Sequence, residues 1–82
     1  MKNRVGIYAG TFDPVHSGHI TFALEAMDRA NLDFVYFLPE RKPRHKQGVE
    51  HFGHRVAMIS RAIKPHPQFS VLELNDISFN MD

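Results

Sequence analysis

The chain has 82 residues, a net charge of +1 and no cysteine, so it forms one small domain at most, without disulfides or thiolate metal sites to reinforce it. The balanced charge builds no single-sign field toward nucleic acid or anionic lipid. The opening MKNRVGIYAG is too briefly apolar for a secretory signal, and no stretch approaches the roughly 20 apolar residues that cross a bilayer; the expectation is a soluble cytoplasmic protein with no nucleic-acid or membrane partner.

Val5 to Ala9 is a short apolar run closed by Gly10, the pattern of a buried strand ending in a sharp turn. From 17 to 30 the period changes. Ile20, Ala23, Leu24, Met27 and Ala30 or Asn31 recur at spacings of three and four and give one apolar helical face. Asp33 to Pro39, DFVYFLP, is a second strand, rich in aromatic and β-branched residues. PERKPRHKQG, from Pro39 to Gly48, is polar and basic with two prolines and belongs on the surface as a loop. A second helix runs from about Glu50 to Ile63, where Phe52, Val56, Ile59 and Ile63 step by four, three and four before Lys64-Pro65 and Pro67 stop it. Phe69 to Leu74, FSVLEL, alternates as a third strand.

The order β-α-β-α-β with short connections predicts an α/β fold with a parallel sheet. A parallel strand ordinarily has both faces covered, yet only Asn75 to Asp82 follow the third strand. Three strands and two helices amount to about half of a doubly wound sheet. The expectation is therefore that 1–82 is the N-terminal part of a single larger domain, cut off, with uncovered sheet open to self-association.

The chemistry concentrates in residues 10 to 19, GTFDPVHSGH. This string falls at the carboxyl end of the first strand, the edge where open α/β sheets bind ligands. Gly10 lets the backbone turn sharply and a phosphate approach closely, and Thr11 adds a hydroxyl. Asp13-Pro14 is a turn pair whose carboxylate can satisfy backbone donors. Gly18 and His19 open the first helix, where N–H groups and the helix dipole favour negative charge. His16 and His19, three apart, can face one anion, each donating a hydrogen bond and, as imidazolium, a charge. Such groups suit phosphoryl or nucleotidyl transfer, in which catalysis is mostly positioning and electrostatics.

Outside this string the basic cluster Arg41, Lys42, Arg44, His45 and Lys46 lies in the loop after the second strand; alone it would be a solvated loop, but a phosphate site at the neighbouring strand end gives it a partner. His51 and His54, even with His45, lack a completing ligand at a zinc spacing, so no metal site is assigned. Arg55 reads as a surface helix residue or a ligand contact, and Phe12 as a packing residue beside the phosphate turn.

GTFDPVHSGH resembles the signature of the adenylyltransferase and cytidylyltransferase superfamily, whose H-x-G-H element is shared with class I aminoacyl-tRNA synthetases. Within it the chain looks most like nicotinate-nucleotide adenylyltransferases: the string Phe-Asp-Pro-Val-His ends in His16 where the phosphopantetheine enzymes usually carry Thr. The likeness extends along all 82 residues, through the Pro39–Lys46 loop, Arg55-x-x-Met58 and the strand ending in Glu73. It implies a Rossmann-like nucleotidyltransferase fold and transfer of AMP from ATP to nicotinate mononucleotide, giving deamido-NAD and pyrophosphate, with Mg²⁺ accompanying the ATP. It further implies that His16 and His19 are catalytic, that Gly10, Thr11, Phe12 and Lys46 join them around the ATP phosphates, and that His45 and Arg55 lie toward the substrate. Phosphopantetheine adenylyl transfer, cytidylyl transfer and a non-catalytic nucleotide-binding remnant are the alternatives. Two departures stand out: Arg44 replaces the family's usual Pro, and the distal I-S-x-T-x-x-R element is not in these 82 residues.

Overall fold

In the computed structural model, which describes residues 3–41 and 51–73, the two aromatic runs pair directly. β1 (Val5–Gly10) lies parallel to β2 (Phe34–Pro39), in register from Val5 opposite Phe34 to Gly10 opposite Pro39. The short β3 (Phe69–Val71) pairs in parallel with the other edge of β2, so the order is β1-β2-β3. The central place of β2 follows from its composition. Val35, Phe37 and Pro39 alternate with Phe34, Tyr36 and Leu38, which supplies apolar side chains to both faces of the sheet.

α1 (Ser17–Ala30) connects β1 to β2, and α2 (Phe52–Ala62) lies between β2 and β3 in the chain. Both cover the same face. Ala23 of α1, together with Ile59 of α2 and Ile63 just beyond it, packs with Phe12, Val35, Phe37 and Phe69 in one core. Phe37 is its hub, 0% exposed, with ring centroids of Tyr8, Phe12 and Phe69 at 5.3, 5.5 and 5.4 Å. The expected apolar face of α1 is narrower than its sequence: Ala23 is buried and Ile20 and Met27 pack beside it, but Leu24 and Ala30 are exposed. Consecutive helical residues are about 100° apart, so a helix that turns Ala23 onto the sheet carries Leu24 to its flank. On α2 the difference is larger: Arg55, expected on the surface side, is buried within the stripe that also holds Phe52 and Ile59.

The end of α1 is tied to the start of β1. Asn31 adopts the left-handed conformation at φ 59° and closes the helix. Arg4 donates from Nε and Nη2 to Ala30 O at 3.2 and 3.0 Å, a cation on the negative end of the helix dipole. Its backbone N–H donates to Asp33 Oδ2 at 2.8 Å, and Asp33 N–H returns a bond to Arg4 O at 2.7 Å. Asp33 is thereby engaged before the strand, and β2 starts one residue later than its sequence run. Gly6 sits under this junction: a Cβ there would stand 2.7 Å from Leu32 Cδ1, which occupies that space. β3 is three residues long, with Leu72 N–H donating to Phe37 O at 2.8 Å just beyond it; Leu74, the end of the expected strand, lies outside the described residues.

The opposite face is bare among the described residues: Val5, Ile7 and Phe34 are 46, 54 and 41% exposed. No helix among the described residues is long and apolar enough to cross a membrane.

Removing the hub should be decisive. Phe37→Ala is expected to cost about 3–5 kcal/mol, enough to unfold a chain of this size. Thr21→Ala, on the exposed side of α1, should change stability by no more than about 0.5 kcal/mol. Urea unfolding followed by circular dichroism compares the two; equal losses would mean the core is not centred on Phe37.

Candidate functional site

At the carboxyl end of β1 the chain must turn into α1 beside the end of β2, and backbone bonds decide how it does so. Gly10 O accepts from Glu40 N–H at 2.8 Å, one step past the paired Pro39. The Thr11 hydroxyl donates to Glu40 Oε1 at 3.2 Å, and Thr11 O accepts from Arg55 Nη1 at 2.8 Å. Phe12 follows with φ 52°, a left-handed conformation uncommon for a large side chain. Its ring is buried, edge-on to Tyr8 at 5.2 Å and to His19 at 5.0 Å. The Asp13–Pro14 peptide is cis, and the chain reaches the helix at His16.

A helix start leaves backbone N–H groups without partners, which a capping side chain ordinarily satisfies with oxygen. Here imidazole nitrogen does the same work. His16 is the N-cap, and its Nδ1 accepts from Gly18 N–H at 3.0 Å. His19, three residues on, accepts the His16 N–H on its own Nδ1 at 2.9 Å. The result is a reciprocal capping box built from two histidines, their rings tilted by 35° with centroids 3.9 Å apart. Gly18 is a requirement of this arrangement: a Cβ there would stand 2.8 Å from His16 Cε1 and 3.0 Å from Nδ1.

The box fixes the tautomers. A neutral imidazole has one acceptor and one donor nitrogen, so with both Nδ1 atoms accepting, each ring carries its proton on Nε2. Protonating either ring would turn its Nδ1 into a donor and break a bond of the box. Consistently, His19 titrates below the ordinary imidazole range, first because burial disfavours its charged form and then because His16 lies beside it. The charge expected of an imidazolium is thus disfavoured at His19, and with both Nδ1 atoms accepting, the donor nitrogen of each ring is Nε2. The first-turn amides are also committed: Gly18 N–H to His16 Nδ1, and His19 N–H to His16 O at 2.9 Å. These two amides are therefore not available to an anion, whereas each imidazole keeps its Nε2–H as a donor.

Gly10, Thr11, Phe12, His16 and His19 therefore gather in one turn, although the Thr11 hydroxyl is directed to Glu40 and the Phe12 ring to the core. Arg55 approaches from α2 behind them, its guanidinium on the carbonyls of Thr11 and Arg41. His45 and Lys46 lie outside the described residues, as do Lys42 and Arg44. His51 is the N-cap of α2, with Nδ1 accepting from Gly53 N–H at 3.1 Å and its ring 5.9 Å from that of His54. Among the described residues no group of three metal-ligating side chains gathers. Glu40 escaped the sequence reading, although it directly follows Pro39, the partner of Gly10, and so falls beside Thr11 once the parallel register is known.

A cytidylyltransferase-like family matches residues 7–80 of the chain. Among curated proteins, the chain is 47% identical to a probable nicotinate-nucleotide adenylyltransferase of Coprothermobacter proteolyticus, over 89% of this chain and 38% of that protein. It is 41% identical to the nicotinate-nucleotide adenylyltransferase of Bacillus subtilis, over 83% of this chain and 37% of that protein. With a probable nicotinate-nucleotide adenylyltransferase of Carboxydothermus hydrogenoformans the figures are 45%, 83% and 34%. The chain thus spans well under half the length of these curated relatives.

The lowered pKa of His19 has a thermodynamic sign. A group that holds its proton less tightly folded than unfolded leaves stability intact above the unfolded value, near 6.5, and erodes it as pH falls through and below that value. The chain should melt at lower temperature at pH 5.5 than at pH 7.5, and His19→Asn, which keeps an acceptor near the Nδ1 position but does not titrate, should shrink that difference. Nitrogen NMR at pH 7.5 should find both Nδ1 atoms unprotonated; an Nδ1–H on either ring would rule out the reciprocal box.

Proposed function

Because the chain belongs to the cytidylyltransferase-like family, we propose that it forms the ATP-phosphate site of an enzyme that transfers AMP from ATP to nicotinate mononucleotide, making deamido-NAD and releasing pyrophosphate. The observation that carries this is the pair of boxed imidazoles at the start of α1, at the ligand-binding edge of a parallel sheet. Two Nε2–H donors held by one turn match the oxygens of a phosphate chain, and in-line transfer to an acceptor phosphate needs no nucleophile from the protein.

In the proposed reaction an oxygen of the acceptor phosphate attacks the α-phosphorus of ATP in line. The bond from that phosphorus to the bridging oxygen breaks, and pyrophosphate leaves with the electron pair. His16 and His19 stabilise the oxygens on which charge collects as the bond breaks, with Gly10 allowing close approach and Lys46 adding charge. Mg²⁺ would accompany the ATP and supply positive charge; among the described residues no group of three metal-ligating side chains gathers, which suits a metal carried by the nucleotide rather than by a protein cage. Self-association through the bare face of Val5, Ile7 and Phe34 is part of the same reading, and sedimentation of the chain against a Val5→Lys, Ile7→Lys variant tests it.

A binding-only role is the second reading, because two N–H donors at a helix start hold an anion whether or not transfer follows. Calorimetry with ATP and CTP, followed by pyrophosphate release with ATP and nicotinate mononucleotide, separates the two. ATP binding with turnover supports transfer, ATP binding without turnover supports the second reading, and preference for CTP would sink the adenylyl assignment. Where turnover is observed, His19→Ala should lower kcat by about 10²–10³ with little change in KM, because its contact strengthens only as charge develops. Lys46→Ala should weaken ATP binding, with Lys46→Arg restoring part of it, since a planar fork does not replace a compact ammonium. Wild-type kcat in His19→Ala would remove that imidazole from the mechanism.

A further inference from the structure

Arg55 is a buried cation in a small fold, 1% exposed and as deeply enclosed as the core residues Phe37 and Ile59. Burying a guanidinium is costly unless its donors are used. Two of them are spent on backbone carbonyls far apart in the chain: Nη1 on Thr11 O at 2.8 Å and Nη2 on Arg41 O at 3.3 Å. These carbonyls belong to no strand or helix. Thr11 is the first residue past β1, and Arg41 is the second past β2. Arg55 therefore joins the two strand ends just beyond the Gly10–Glu40 bond, where the ladder between them stops.

A second contact set points the same way. The Phe52 ring has Arg55 Cζ 5.4 Å and Arg41 Cζ 4.3 Å from its centroid, so it bridges two guanidinium groups. Arg41 is thus held by its carbonyl and by its side chain, both through the first turn of α2. On the other side, Thr11 is held by its carbonyl and by its hydroxyl on Glu40. Every one of these contacts bears on the relative placement of two connecting segments.

We propose that Arg55 is a positioning residue: its planar fork sets the turn carrying His16 and His19 at a fixed distance from the chain leaving β2. It does so from behind, through Thr11 O and Arg41 O. Lysine could supply charge and length, but its point-like ammonium does not hold two carbonyls in one plane. The consequence for phosphate binding rests on the function proposed above; the mechanical role does not.

The test uses the chain with Arg55→Met, which keeps the apolar stem, and Arg55→Lys, which keeps the charge. Amide hydrogen exchange is read at His16, Gly18 and Glu40, whose N–H groups are bonded in the two segments, and at Val35 and Leu72, bonded between β2 and β3. In Arg55→Met the first three should exchange at least about tenfold faster while the last two stay at wild-type rates, and the Kd for MgATP should rise about tenfold. Arg55→Lys should fall between Arg55→Met and wild type on both measures. Equal acceleration at all five amides would mean that Arg55 only supports the core, and unchanged rates at His16, Gly18 and Glu40 would mean that it braces nothing; either overturns the proposal. If Arg55→Met does not fold, Arg55→Lys decides by the same comparison, and behaviour identical to wild type overturns it. A wild-type chain that does not bind MgATP defeats the adenylyl-transfer reading alone, because the exchange pattern still judges Arg55.

Discussion

The backbone N–H groups at the start of α1 have to be satisfied, and the use of imidazole for that purpose governs this end of the molecule. Oxygen from serine or aspartate would cap the helix equally well. A histidine cap adds what those residues lack: once Nδ1 accepts, Nε2 must donate, so satisfying the helix also sets the direction of the chemistry. The cost appears elsewhere in the turn. Gly18 must be without a side chain for the His16 ring to fold back, and the rings must stay neutral for the box to close.

The layers of the fold were legible because they rest on local patterns. The apolar run Val5 to Ala9 and the aromatic and β-branched run Asp33 to Pro39 report strands, the spacing of Ile59 and Ile63 reports a helix face, and the element order implies a parallel sheet. The two histidines at spacing three were legible too, as was their position after a strand. Their tautomers were not, because a sequence does not say which nitrogen meets which amide. Arg55 was the least legible. Its partners are carbonyls, which every residue has, and one of them lies 44 positions away. A charged residue between Phe52 and Ile59 reads as the edge of an apolar stripe until the strand ends that need it are brought alongside.

The bare sheet face and the candidate site are separable for a geometric reason. Side chains on a strand alternate, so Val5, Ile7 and Phe34 project away from the layer holding Tyr8, Phe37 and both helices. The turn from Gly10 to His19 is built from β1, α1, the end of β2 and the first turn of α2, all on the covered side.

Neutral histidines leave an electrostatic question that the composition helps to answer. A polyphosphate carries several negative charges, yet His19 is biased against carrying its own proton charge and the amides of Gly18 and His19 are already bonded. The turn can therefore direct an anion but not neutralise it. Under the proposed function, positive charge would come from a metal accompanying the nucleotide and from the sequence run Arg41, Lys42, Arg44, His45 and Lys46, whose first residue is the one Arg55 grips. Orientation from one strand end and charge from the next would be of little use if the two could drift apart, since an electrostatic contact weakens with every ångström. A rigid link between the strand ends is what such a division requires, and the buried guanidinium sits where that link has to be.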